Sequence, residues 1–308
     1  MTNSATTNVL THRTLHRDGH EPLDYAIGGN GGEYLVIVNA YGQSLAFWDK
    51  LLVLLVTRYR VVIWQPRGTQ QHGGQTAWYP VEQHVQDMRA VFDAENIGRA
   101  HILAWCTGPK TALAFQHACP DRVASMIFLT GCFIHARGYE HLVTRYEAGM
   151  LDLCRMIDQR PELATQLRDM FKAVLPVMRR APAGTQNDHG AIAGLVTAPF
   201  ATPESLLQYA RQLLHFWDVG ILPILANVTS PVLFIGAELD DVTHPELSRE
   251  LARRVPGAVY AEVAHGSHYI HTEQPSLLHE MLADFTQGGR LRDASDRLAN
   301  CGVSGCHA

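Results

Sequence analysis

A cysteine, a pair of acids and a group of histidines stand at three places in this chain where their chemistry could combine. They are Cys106, the neighbours Asp240 and Asp241, and the histidines of "VAHGSHYIHTEQP" (263–275). A thiol becomes a strong nucleophile when an imidazole takes its proton, and a carboxylate behind the imidazole fixes the ring's orientation and tautomer. These groups are far apart in the sequence, so they can act together only if the fold gathers them.

The cysteine occupies the middle of "HILAWCTGPKTALAF" (101–115), where an apolar run, a turn of small residues and a helix-like apolar pattern follow one another. Ala104 and Gly108, two residues before and after Cys106, are small, as a sharp turn between a strand and a helix requires. The N-terminus of the following helix favours a negative charge and hence a thiolate. The stretch therefore predicts a nucleophile at a strand–helix turn. A buried structural cysteine at a strand end is the alternative.

Predicted strands and helices alternate around the cysteine. Short apolar runs predict buried strands, and apolar residues that recur every three or four positions predict amphipathic helices. This alternation predicts an α/β fold with a mostly parallel sheet and helices on both faces. Strands are expected at 33–40, 60–66, 100–105, 123–131, 230–237 and 258–264, and helices at 44–59, 81–95, after Cys106, from Pro245 and near 276–287.

The alternation is interrupted by a long helical stretch. We expect residues 1–133 and 227–287 to form one α/β core, residues 134–226 to form a helical cap, and residues 288–308 to be a mobile tail. Ligands of open α/β sheets bind at the carboxyl ends of the strands, so an insert at that edge would form a lid over the active site. A helical subdomain used only for dimerisation is the alternative.

The composition limits the classes of function. The 308 residues carry 25 basic and 30 acidic side chains, a net charge of -5, which argues against a general nucleic-acid binder. No apolar run approaches the roughly 20 residues of a membrane span, and the polar N-terminal stretch lacks an apolar signal core. A cytoplasmic protein is expected, in which the cysteines are free thiols rather than disulfides.

The strand–turn–helix around Cys106 and the order nucleophile, acid, histidine resemble the α/β-hydrolase fold family over about residues 30–287. A family member would have the mostly parallel sheet, with the helical insert as its lid. Four segments carry the resemblance beside the cysteine turn. They are "VIVNAYGQSLAFWDKLL" (36–52), "VVIWQPRGTQQHGG" (61–74), "PVLFIGAELDDVTHPEL" (231–247) and "VAHGSHYIHTEQP" (263–275).

By this resemblance Cys106 is the nucleophile, His268 is the catalytic base, and Asp240, in preference to the acid that follows it, orients the base. His265 and His271 are then expected to hold supporting or surface roles.

The resemblance also implies an oxyanion hole formed by the backbone N–H groups of Thr107 and Tyr41. The family's usual His-Gly ahead of the second donor is Asn39-Ala40 here. Because of this departure, Tyr41 could instead form part of the substrate pocket wall.

The "AWCTG" turn, together with the insert, is similar to cysteine-dependent aminoacyltransferases of nonribosomal-peptide pathways, of the coronamic acid and syringomycin type. That resemblance implies an aminoacyl group moving between phosphopantetheine thiols through a thioester on Cys106. Exchange between thioesters is nearly neutral in energy and keeps the acyl group activated, which gives a reason for a thiol. The phosphopantetheine would arrive on acyl or peptidyl carrier proteins. No bound cofactor, metal, nucleic acid or membrane partner is expected.

Two other functions fit the same residues. One is a thioesterase, or a lactone or ester hydrolase, with a Cys–His–Asp triad, and the other is a non-catalytic binding protein with the hydrolase fold. Basic residues in the insert could dock an acidic carrier, although an ordinary solvated helix face would look the same in sequence. They are Arg168, Lys172, Arg179 and Arg180.

Overall fold

The computed structural model describes residues 9–67, 79–134, 136–170 and 189–291, and an eight-stranded sheet lies at its centre. From β4 onward every neighbouring pair is parallel, while β1–β2 and β2–β4 are antiparallel, which confirms the predicted mostly parallel sheet. The spatial order is β1-β2-β4-β3-β5-β6-β7-β8. The strands are β1 (Thr11–Leu15), β2 (Leu23–Gly28), β3 (Glu33–Val38), β4 (Tyr59–Trp64), β5 (Ala100–Trp105), β6 (Val123–Leu129), β7 (Val232–Ala237) and β8 (Val259–Val263).

The first two strands were not predicted from the sequence. β1 is exposed at four of its five positions, so it has no apolar pattern to mark it. It lies at the edge of the sheet, and its Arg13 forms an ion pair with Glu95 at 2.5 Å. A charged edge strand discourages further strands from pairing with it.

Strand β5 lies in the middle of the sheet, and all six of its residues are buried. It pairs in parallel with β3 on one side and with β6 on the other. Because β5, β6, β7 and β8 run in the same direction, their carboxyl ends lie along one edge of the sheet. The sheet therefore gathers the segments after residues 105, 237 and 263, which hold the predicted cysteine, acid and histidines.

Helices surround the sheet, and the helices predicted from the spacing of apolar residues are present with small shifts at their ends. The stretch predicted as one helix over 44–59 is instead a 3-10 turn, Leu45–Trp48, followed by a shorter helix. The helices whose bounds lie within the described residues are α1 (Asp49–Leu55), α2 (Val81–Ala94), α3 (Gly108–Ala118), α4 (Arg145–Gln159), α5 (His189–Val196), α6 (Pro203–Asp218), α7 (Leu222–Leu225), α8 (Pro245–Ala252), α9 (Ile270–Glu273) and α10 (Pro275–Gly288). Among the described residues no helix is both long and apolar enough to cross a bilayer.

Between β6 and β7 the described regular elements are helical, and α4 packs against α6. The buried Lys110 of α3 joins this region to the core. Its ammonium donates to the carbonyl oxygens of Ile134, Phe216 and Trp217 at 3.3, 3.1 and 3.1 Å. Burial lowers the pKa of Lys110 to about 8. The side chain therefore holds the end of α6 against the helix that follows the cysteine.

His271, which follows the candidate base by three residues, belongs to the core. It is fully buried, and its ring lies 4.4 Å from that of Trp105 and 4.8 Å from that of Trp48, measured between centroids. Neither ring nitrogen has a hydrogen-bond partner among the described residues. Burial, with a smaller contribution from His268, lowers the pKa of His271 to about 3. The histidine is therefore neutral in the folded protein at physiological pH.

This burial predicts a loss of stability in acid. An unfolded histidine takes up a proton as the pH falls through about 6.5, while folded His271 does so only near pH 3. The free energy of unfolding should therefore fall by about 2 kcal/mol from this residue alone between pH 7 and pH 5. The variant His271→Phe puts an apolar ring in the same position and should remove the contribution of this residue to the fall in the free energy of unfolding. Urea unfolding at both pH values measures the difference. Equal acid losses in the parent and the variant would show that His271 does not stay neutral.

Candidate active site

Cys106 lies at the sharp turn between β5 and α3. It is one of four non-glycine residues in the described chain with a positive φ, +52°, a conformation that side chains with a Cβ rarely adopt. The turn is held by backbone bonds on both sides. The Cys106 N–H donates to the Leu129 carbonyl at 3.1 Å, and the Cys132 N–H donates to the Cys106 carbonyl at 2.7 Å. Strained geometry of this kind is found at nucleophile-bearing turns.

Gly108 allows the turn to close. A Cβ at this position would lie 2.4 Å from the Val38 carbonyl oxygen and 3.3 Å from the Ala104 side chain. The first turn of α3 thus passes directly over the end of β3. The sequence prediction that small residues are needed at 104 and 108 is explained by this close approach.

His268 and Asp240 meet at the ends of two other strands. The Nδ1 atom of His268 lies 2.9 Å from Oδ2 of Asp240, and both side chains are almost fully buried. The other carboxylate oxygen, Oδ1, accepts the N–H groups of Val242 and Thr243, each at 2.9 Å. The Thr243 hydroxyl also donates to Oδ2 at 2.9 Å. With Nδ1 engaged in this way, Nε2 is the ring nitrogen left for proton transfer in the cleft that His268 lines.

The backbone of His268 is anchored as well. Its carbonyl oxygen accepts the indole N–H of Trp105, the residue before the cysteine, and the hydroxyl of Thr130, each at 3.2 Å. These bonds tie the histidine loop to the ends of β5 and β6. The other two histidines differ, since His265 is strongly exposed beside Glu238 while His271 is buried in the core.

Thr107 and Tyr41 come together beside the cysteine. The Tyr41 N–H donates to the Thr107 hydroxyl oxygen at 2.9 Å. In the structure this amide is therefore directed at the side chain of Thr107. The Tyr41 ring is buried, and its hydroxyl lies 3.4 Å from that of Thr111.

Cys106 and His268 line one cleft, which encloses about 540 Å³ of space, open solvent at its mouth included. Burial raises the pKa of the Cys106 thiol well above its ordinary value, Cys132 and the acids Asp240 and Glu147 add to the increase, and the Thr107 amide opposes it. The sequence-based expectation that the helix N-terminus favours a thiolate is thus outweighed by burial. A thiol in this cleft needs a base to remove its proton.

Two ionisable residues of the cleft, an acid and a second thiol, carry no signal in the sequence that marks them as functional. Glu147 and Cys132 both line it, and the Cys132 thiol lies 3.5 Å from the Glu147 Oε1 atom. No motif marks either residue. Glu147 stands in the amphipathic pattern of a helix in the insert, where an acid is expected to face water.

The candidate docking residues of the insert are mostly outside the described residues. Lys172, Arg179 and Arg180 all lie there. Arg168 is described, and it pairs with the adjacent Asp169 at 2.7 Å.

The chain belongs to the alpha/beta hydrolase family, whose sequence model matches residues 35–280. It is accordingly an enzyme of the α/β-hydrolase class, as the resemblance implied. It is 27% identical over 271 residues to RutD of Caulobacter vibrioides, a protein named as a carbamate hydrolase, an alignment that covers 86% of this chain and 96% of the relative. It is 24% identical to BpoC of Mycobacterium tuberculosis, named as a non-heme bromoperoxidase, over 85% of this chain and 97% of the relative.

Solved structures share the fold. The enol-lactonase from Burkholderia xenovorans LB400 superposes with a TM-score of 0.71 at 22% identity, over 89% of this chain and 100% of that protein. An esterase from Thermogutta terrifontis superposes equally well at 14% identity, over 91% and 99%. The predicted fold class is confirmed. The family and the name of RutD favour the hydrolase alternative over aminoacyl transfer between carriers, for which the comparisons give no support.

The site geometry predicts unequal roles for the two neighbouring acids. Asp240→Asn should slow acylation of Cys106 by about 10⁴-fold, because the imidazole loses the carboxylate that fixes its tautomer. Asp241 is exposed, so Asp241→Asn is the matched control and should change the rate only severalfold. The rates are measured with a small acyl thioester, with circular dichroism to check folding. A larger loss in Asp241→Asn would move the orienting role to that residue.

Proposed function

We propose that this protein is an acyltransferase that takes an acyl group from a thioester donor onto Cys106 and passes it to a second thiol. The observation that carries the proposal is a cysteine at the strained turn after β5, in one cleft with a histidine that is paired to a buried aspartate. A thioester intermediate formed from a thioester donor keeps the acyl group activated. Its transfer to another thiol is close to neutral in energy.

The chemistry follows from the groups in the cleft. His268 takes the proton of the Cys106 thiol, and the sulfur attacks the carbonyl carbon of the donor. The bond between that carbon and the donor sulfur breaks, and the donor thiol leaves with the proton from His268. The acceptor thiol then repeats these steps in the other direction. Asp240 stabilises the imidazolium that forms in each half-reaction.

The oxyanion hole uses the pair beside the cysteine. The Thr107 N–H is one donor to the developing negative charge. The Tyr41 N–H contributes through the Thr107 hydroxyl, which accepts it at 2.9 Å and can donate its own proton to the oxyanion. This relay replaces the direct Tyr41 contact that the family resemblance implies.

The donor and acceptor thiols belong, in this proposal, to phosphopantetheine arms on acyl or peptidyl carrier proteins, so the enzyme itself binds no cofactor. The helices between β6 and β7 act as a cap that limits access of water to the thioester. The exchange takes place in the cytoplasm. Carriers suit this cysteine because they present acyl groups as thioesters, from which acylation of Cys106 is close to neutral in energy.

Hydrolysis is the second candidate, and the relatives named as a carbamate hydrolase, an enol-lactonase and an esterase favour it. In that case water accepts the acyl group from Cys106. The covalent intermediate, the base and the orienting acid stay the same. The two functions differ only in the acceptor.

Intact-protein mass spectrometry tests the proposal and separates the two functions. The protein is mixed with an acyl-loaded carrier protein and an unloaded carrier that bears phosphopantetheine. We expect the acyl mass first on the enzyme and then on the second carrier. Cys106→Ala should give neither product, because alanine fits the turn of small residues but lacks the nucleophilic thiol. Release of free acid without a loaded acceptor would establish hydrolysis. Transfer at the parent rate by Cys106→Ala would contradict the covalent mechanism.

A further inference from the structure

Glu147 is a buried acid in the wall of the active-site cleft. It stands in the first turn of α4, and only 3% of the residue is exposed. An ionised carboxylate removed from water in this way is costly unless a positive charge or several hydrogen bonds compensate for it. The contacts of its two oxygens therefore show whether the residue has a structural role only.

One oxygen of Glu147 has a structural role. Oε2 accepts the Thr144 N–H at 3.0 Å, and the Thr144 hydroxyl in turn accepts the Glu147 N–H at 3.0 Å. This reciprocal pair is a capping box that begins α4. A capping box uses a single side-chain oxygen, and a neutral glutamine would serve equally well.

The other oxygen has little to bind. Its one contact within hydrogen-bond range in the described chain is the thiol of Cys132 at 3.5 Å, a weak donor. Among the described residues no lysine, arginine or histidine lies within ion-pair distance of Glu147. Lys110, another buried charged side chain, directs its ammonium to three carbonyl oxygens, and its interaction with Glu147 is limited to a small contribution that raises the pKa of Lys110.

The electrostatics agree with a site that lacks its cation. Burial raises the pKa of Glu147 to about 7. Without a ligand, the carboxyl is therefore protonated in a large fraction of molecules near neutral pH. An ammonium brought into the cleft would favour the ionised form and form a charge-assisted hydrogen bond with it.

The rest of the cleft wall is mostly apolar. Met150, Val196, Leu213 and Trp217 line it together with Glu147. These side chains suit the hydrocarbon part of an acyl group. The cleft thus combines a nucleophile, an apolar wall and one anionic group.

We propose that Glu147 binds a protonated amine on the acyl group that Cys106 accepts. The substrate class is then an aminoacyl group with an apolar side chain. This inference rests on the proposed acyl chemistry of Cys106 and adds the group that selects the acyl donor. Glu147 is a binding residue here and takes no part in moving the thiol proton.

The test compares matched donors that differ only by the amine. Alanyl and propionyl thioesters of N-acetylcysteamine form one such pair, and leucyl and 4-methylpentanoyl thioesters form another. Acylation of Cys106 is followed by intact-protein mass spectrometry over a range of donor concentrations, so that KM and kcat are separated. The variant is Glu147→Gln, which keeps the capping box but removes the charge.

The parent protein should be acylated more efficiently by the amine-bearing donor of each pair, by about 10- to 100-fold in kcat/KM. Glu147→Gln should remove that preference mainly through KM. The readout is the ratio of kcat/KM within each pair, because Glu147 also raises the pKa of Cys106 and its replacement affects acylation by both donors alike. Circular dichroism and the midpoint of thermal unfolding check that the variant folds. Glu147→Asp is the second variant, and it should keep part of the preference because it keeps the charge.

The outcomes separate the inference from the function on which it rests. Equal acylation by both members of each pair, unchanged in Glu147→Gln, would overturn the role of Glu147 and leave the acyl chemistry intact. The same holds if Glu147→Gln changes the rate with both donors alike, because the ratio within each pair is then unchanged. The absence of a Cys106 adduct with all four donors would overturn the proposed function and this inference together.

Discussion

The close approach of α3 to the end of β3 is the constraint on which the site depends. It requires the absence of a side chain at residue 108, where a Cβ would collide with the Val38 carbonyl oxygen at 2.4 Å. The turn before it places Cys106 at a φ of +52°. If α3 shifted outward, the thiol, the Thr107 amide and the Thr107 hydroxyl that holds Tyr41 would all move together. The geometry of the Cys106 turn and of the proposed oxyanion hole thus depends on one backbone contact.

Burial then sets the chemistry of the cleft. It raises the pKa of both Cys106 and Glu147, since each negative form loses its solvation there. A thiol that rests protonated reacts once a base takes its proton, and His268 lines the same cleft. This resting state suits both transfer to a thiol and hydrolysis, and the name of the relative RutD favours hydrolysis.

Much of the core could be predicted because its strands are buried runs that alternate with amphipathic helices. β5 shows this most clearly, with six buried residues that lead into Cys106. β1 could not be predicted in this way, since an edge strand with four exposed positions has no apolar pattern. The choice of Asp240 over Asp241 depended on family resemblance. In the structure the amides of Val242 and Thr243 hold the Asp240 carboxylate beside His268, a contact that the sequence alone does not reveal.

The cleft wall could not be predicted because burial there is a property of the assembled fold. Glu147 lies in an ordinary amphipathic helix of the sequence, and its burial depends on how the start of α4 packs against the loop after β7. The Thr144 hydroxyl shows this packing directly, since it donates to the Val242 carbonyl at 2.8 Å. The contrast between exposed His265 and buried His271 is likewise tertiary, as both stand in the same short motif.

The lifetime of the thioester on Cys106 separates acyl transfer between thiols from hydrolysis. The protein is acylated with one equivalent of a thioester donor, freed of excess donor and followed by mass spectrometry with and without an added acceptor thiol. We predict an adduct that persists in buffer and is lost quickly, with the acyl mass gained by the acceptor, once a phosphopantetheine thiol is present. An adduct that disappears in buffer as fast as it does with the thiol would show that water, and not the thiol, is the acceptor.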